Sequence, residues 1–176
     1  MGLSPFTREN MLTASDALHI AEDKIGDFFK FSSGQWKNHP FFVRTLADLS
    51  EGQIVSDAFA LLEKQSSKRD CLDYREKARD HYLICLQDHE ILKALKRDRE
   101  LRLFPLLVYV FTHELVHIVR FCNFFQRFDA GRREREKEER IVHETTYRIL
   151  RRLSVPDLDY VLDSYEGYRI CKLSLA

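Results

Sequence analysis

His113, Glu114 and His117 are the residues of this 176-residue chain whose types and spacing speak most directly of chemistry. With Leu115 and Val116 between them they spell H-E-x-x-H, inside the apolar segment Leu103 to Phe128. On a helix, positions i and i+4 share a face, so both imidazoles can reach one metal ion. Glu114 follows the first histidine directly, where a carboxylate reaches a metal-bound water without ligating the metal. Two imidazole donors, a general base and a position left for solvent are what a hydrolytic zinc site needs. The neighbours argue against the bland alternative of two surface histidines beside a solvated acid. Leu106, Leu107, Val110, Phe111, Leu115, Ile118 and Val119 leave no continuous polar face. Burying two histidines and a glutamate there without partners would be costly.

The motif resembles the signature of the zincin metallopeptidases, whose branches differ in the third metal ligand. The metzincin branch continues with Gly and then His, where this chain has Arg120 and Asn123. The gluzincin branch takes a glutamate from a later helix, often within E-x-x-A-D. Glu139-Arg140-Ile141-Val142-His143 is similar to that motif, with Val142 for the small residue and His143 for the aspartate. The resemblance is confined to these two short motifs. It implies a minimal zincin-like fold, zinc (Zn2+) as cofactor, Glu114 as the catalytic base and a peptide or protein substrate. Such peptidases usually carry a sheet ahead of the motif helix, whose edge strand holds substrate extended. Upstream of His113 this chain reads almost wholly helical.

Helix phase points to the same third ligand independently. At about 100° per residue, Ile141, Val142, Thr145, Ile149 and Leu153 set the buried stripe of a helix expected from about Arg132 to Leu153. Glu138 projects into that stripe, Glu139 and His143 lie together along one edge, and Glu136 points away. Glu139 is the expected ligand. His143, one turn later, is either the ligand itself or a partner that orients His113 or His117. His81 and His89 are expected two turns apart on one long helix, too far apart for one metal ion. Glu114-x-x-His117 also matches half of the ferritin-like carboxylate pattern, but the second E-x-x-H helix is missing. An oxyanion stabiliser would complete a hydrolytic site, with Tyr147, Tyr165 and Tyr168 as candidates. Two other readings use the same residues. One is a non-catalytic structural or regulatory protein that keeps a zincin-like metal site. The other is a redox-active iron site, because ligand type alone does not fix the metal.

Composition narrows the class of protein. Hydrophobic residues make up 44% of the chain and charged residues 32%, as in a soluble globular domain. Lys plus Arg equals Asp plus Glu at 28 each, so no global field invites nucleic acid or an anionic membrane. Arg132-Arg133 and Arg151-Arg152 read as solvated helix faces. Cys71, Cys85, Cys122 and Cys171 are scattered without C-x-x-C spacing, like the reduced thiols of a cytoplasmic protein. No basic-then-apolar leader opens the sequence, and Phe6 stands where a myristoylation motif wants Ser or Thr. Leu103 to Phe125 is apolar enough to span a membrane, but His113, Glu114, His117 and Arg120 near its middle predict a core helix.

The elements that must position these residues read mostly as helices. Ser15 opens one carrying Leu18, Ala21, Ile25, Phe28 and Phe29. A polar loop, Ser32 to Gln35, precedes a short helix with Pro40 in its first turn, running through Val43 and Leu46. Ser50 and Gln53 read as a capping box ahead of a helix with Ile54, Val55, Ala58, Phe59, Leu61 and Leu62. After a break at Gln65 to Lys68, a long helix is expected from about Asp70 to Lys96. The motif helix begins near Pro105 and ends before Gly131, and Pro156-Asp157 starts a last helix with Leu158, Val161 and Leu162. Glu100 to Leu103 and Tyr168 to Leu173 alternate with period two and could pair with each other. The expectation is a mainly α protein, one compact domain over residues 1–176. Its buried H-E-x-x-H helix packs on a second ligand-bearing helix, with at most a small β-hairpin.

Overall fold

Thr7 and Asn10 start the first helix, well ahead of Ser15. Asn10 N–H donates to the Thr7 hydroxyl (3.2 Å) and Thr7 N–H to the Asn10 side-chain oxygen (3.0 Å), a reciprocal cap that satisfies two helix-end donors. The computed structural model describes residues 3–66, 80–123, 127, 129–165 and 171–175. In it, α1 spans Arg8–Phe29, α2 Ser33–Asn38, β1 Phe41–Arg44, β2 Ala60–Ser66 and β3 Asp80–Leu86. They are followed by α3 (Asp88–Arg97), α4 (Leu103–Cys122), α5 (Arg132–Leu150), α6 (Leu158–Ser164) and β4 (Cys171–Leu175). The protein is mainly helical, as its periodicity predicts, with a small sheet added.

The sheet is larger than a hairpin. Its four strands run in the order β1-β3-β2-β4, with β2 antiparallel to β3, β1 parallel to β3 and β4 parallel to β2. The central strands escape a periodicity reading because they are covered on both faces. Leu62, Ile84 and Leu86 join the main core, while Leu61, Leu83 and Cys85 form a second cluster closed by Leu49 and Val55. A strand buried on both sides shows an apolar run, which a helix of the same length would also show.

Several local expectations change. The helix expected from Asp70 to Lys96 is, in its described part, the strand β3 followed by the helix α3, separated at Gln87. Phe41 to Arg44 form an edge strand beside Tyr82 to Cys85 rather than the helix that Pro40 suggests. Ser32 and Gln35 cap the short helix α2 instead of belonging to a loop. The Ser50–Gln53 box exists (3.1 Å) but caps only a 3-10 turn, Glu51–Gln53. Gln53 Nε2 is drawn away to the buried Glu63 carboxylate (2.8 Å), and the chain continues into β2. Glu100 to Arg102 are not a strand; they lead into α4, and β4 pairs with β2. Tyr168 and Cys71 lie outside the described residues.

α4 is the axis of the molecule. Every residue from 105 to 119 is buried. By length and composition it could cross a membrane, but 83% of its apolar window is covered by the rest of the fold. On one side it meets α1, whose inward face of Ala14, Ala17, Ala21 and Ile25 lets two helix backbones approach closely. On another side it meets α5, which buries Glu138, Val142, Thr146, Ile149 and Leu150. α5 starts at Gly131, whose N–H donates to the Glu134 carboxylate (3.1 Å).

Candidate metal centre

Four donor-bearing side chains converge between α4 and α5. His113 and His117 leave α4 one turn apart and are fully buried. The Glu139 carboxylate sits between them, Oε2 lying 3.4 Å from His113 Nε2 and Oε1 3.2 Å from His117 Nε2. His143, one turn further along α5, places Nε2 3.8 Å from Glu139 Oε2. The His113 ring centroid lies 4.9 Å from that of His117 and 4.7 Å from that of His143. Donor atoms of His113, Glu139 and His143 lie within 4.8 Å of one another, a group that could hold a metal ion. Imidazole and carboxylate suit zinc, and also iron.

The phase of α5 is set next door. Glu138 is only 2% exposed, and Arg120 of α4 grips it twice, Nε to Oε1 at 2.6 Å and Nη2 to Oε2 at 2.9 Å. A bidentate guanidinium–carboxylate pair fixes orientation as well as distance. With Glu138 held there, the next residue, Glu139, meets the histidines. Arg120 stands where the metzincin pattern wants glycine, and here it docks the second helix.

Burial and the carboxylate compete over the protons. Burial drives His113 down to about 4, although the hydrogen bond and charge of Glu139 pull the other way. Burial also opposes charge on His117, but the hydrogen bond and charge of Glu139, helped by Glu114 and Glu138, outweigh it and raise its pKa. Burial pushes Glu139 up, yet the bonds from His113 and His117 outweigh that and hold it well below the usual carboxylate range. An ionised carboxylate beside a neutral imidazole is the form in which both donate to a metal.

The other sequence candidates fall into place around this group. Glu114 is fully buried next to His117, and its charge acts on that imidazole. Glu136 points to solvent and pairs with Arg132 (3.1 Å), as its phase predicts. His81 belongs to β3 and faces Gln65 (3.1 Å), while His89 belongs to α3, so the two share no helix. Tyr147 lines the cavity described below, whereas Tyr165 packs on Phe59 at 5.4 Å between centroids. Tyr109 is the residue that sequence reasoning missed. It is 2% exposed, and its hydroxyl lies 2.9 Å from His143 Nδ1, leaving Nε2 turned towards Glu139. Its signal was one of spacing: Tyr109, His113 and His117 follow one another at i, i+4 and i+8 on a single helix face.

A cavity of about 910 Å³ opens on the group. Tyr109, buried, and Glu139 and His143, half-buried, form its floor, and the outer side of α5 together with Leu162 of α6 forms its described walls. No family model matches the chain, and neither the curated proteins nor the solved structures contain a match to it.

Proposed function

We propose that the protein is a zinc-dependent, gluzincin-like hydrolase of the cytoplasm that acts on peptides or proteins. The observation that carries this reading is the Glu139 carboxylate lying 3.4 Å and 3.2 Å from the two H-E-x-x-H imidazoles. The donors suit the ion by type: His113, Glu139 and His143 lie close enough together to share it, and in the gluzincin-like reading His117, 3.2 Å from Glu139, would join His113 and Glu139 as a ligand with His143 beside them. When bound, zinc supplies a Lewis acid and makes water acidic enough to be a nucleophile near neutral pH. Glu114 takes the proton of the attacking water on its carboxylate and passes it to the leaving amine. Tyr109 keeps the His143 ring in one orientation, as outer partners of metal-site histidines do.

The test is zinc content and hydrolysis measured together. The parent protein is expected to carry one zinc per chain and to cleave a mixed pool of internally quenched peptides. Glu114→Gln is expected to keep the zinc and the fold and to lose the cleavage. Failure of the parent to take up metal from zinc buffer would overturn the reading. A second reading, a non-catalytic metal-binding protein, is favoured by the complete burial of His113, Glu114 and His117. It would be identified by stable zinc binding with no cleavage of any peptide in the pool.

A further inference from the structure

Glu139 and His143 divide the cavity wall along α5 into two halves of different chemistry. Arg133 and Lys137 lie towards the N-terminus of the helix and Arg140 between Glu139 and His143, all three exposed and all lining the cavity. Their spacing of four and then three residues puts them on one stripe, about 10 Å long at 1.5 Å rise per residue. The acid in this half, Glu136, is already answered by Arg132 at 3.1 Å. Among the described residues, none of the three cations is in an ion pair. Beyond His143 the wall changes to Glu144, Tyr147 and, from α6, Leu162. That half offers two apolar surfaces and repels a second negative charge.

We propose that the cavity binds extended peptides with acidic side chains on one side of the reacting bond and an aromatic or aliphatic side chain on the other. Arg133, Lys137 and Arg140 are the specificity-determining residues. An extended chain advances about 3.3 Å per residue, so a stripe of about 10 Å faces roughly three residues of substrate. A row of like charges along a cleft raises the local concentration of an oppositely charged ligand, an effect that salt screens. The cutting step rests on the hydrolase reading above; the binding preference does not.

The experiment measures binding and cutting separately. Zinc-loaded Glu114→Gln protein is titrated with three fluorescein-labelled peptides by anisotropy. Each peptide carries a phenylalanine next to three aspartates, three serines or three lysines, and each is made in both chain directions. In the better direction the aspartate peptide is expected to bind about tenfold more tightly than the serine peptide, and the lysine peptide most weakly. High salt should compress these differences. The triple reversal Arg133→Glu, Lys137→Glu, Arg140→Glu should invert the order, with its fold checked by circular dichroism. Lys137→Glu alone, at an exposed position, should weaken the aspartate peptide by a few-fold and serves if the triple variant unfolds. Equal affinity for the three peptides, or an order unchanged by the reversals, overturns the proposal. The same peptides are then given to the parent enzyme. Cleavage without charge preference overturns the proposal and leaves the hydrolase standing. Tight binding of the aspartate peptide without cleavage does the opposite.

Discussion

Glu138 and Glu139 are neighbours on α5 and both turn towards α4, where they meet different chemistry. Glu138 meets the Arg120 guanidinium, which is always charged and matches both carboxylate oxygens at 2.6 and 2.9 Å. Glu139 meets two imidazoles, charged only when protonated, and its cluster opens on a cavity. The first pair uses the carboxylate fully in holding two helices together. The second is built from donors whose protons a divalent cation can replace. One acid fixes the register of α5, and its neighbour is thereby turned to the imidazoles.

The contrast is tested most sharply by removing donors from the Glu139 cluster while Glu138 keeps its partner. Glu139→Ala and His117→Ala are expected to take zinc from one per chain to none, read by elemental analysis of the purified protein. A Glu139→Ala protein that keeps its zinc would end the comparison. Next in size is Glu114→Gln, with hydrolysis expected to fall about 10²- to 10⁴-fold at unchanged zinc content, as loss of a general base does. Arg120→Ala leaves Glu138 buried without its cation and should cost about 3 kcal/mol in urea unfolding, while the protein that remains folded still binds zinc. A zinc loss equal to that of Glu139→Ala would show that Glu138 and Arg120 belong to the site. Tyr109→Phe and His143→Ala should weaken zinc about 10- to 100-fold in chelator competition, the range found for outer partners of ligands. A complete loss in His143→Ala would make His143 a ligand of equal rank with Glu139. Smallest is Arg132→Ala, whose 93% exposed side chain pairs with Glu136. It should change stability by less than about 0.5 kcal/mol.

The site was more legible than the sheet, for a physical reason. His113, Glu114 and His117 carry their information in types and spacing on one helix, and Glu139 followed from the phase of the next. Both are local properties that a single sequence records. β2 and β3 owe their conformation to partners distant in the chain, and with both faces covered their residues show no alternation. Phase also placed Glu136 on the solvent side, where it is found paired with Arg132. Tyr109 was hidden differently. Its spacing is visible, but its meeting with His143 exists only once α4 and α5 have docked.

The parallel pairing of β4 with β2 has a consequence in time. Ala60 meets Cys171 in this ladder, so the edge of β2 stays open while α3, α4, α5 and α6 are still being made. Contacts between α4 and α5 close a far shorter loop and carry a smaller entropic barrier. A nascent chain can thus bring His117 and Glu139 together before its sheet is complete. During that interval the uncovered edge of β2 is the place where two incomplete chains can join strand to strand. Growth conditions that slow synthesis lengthen that interval, and with it the exposure to misassembly.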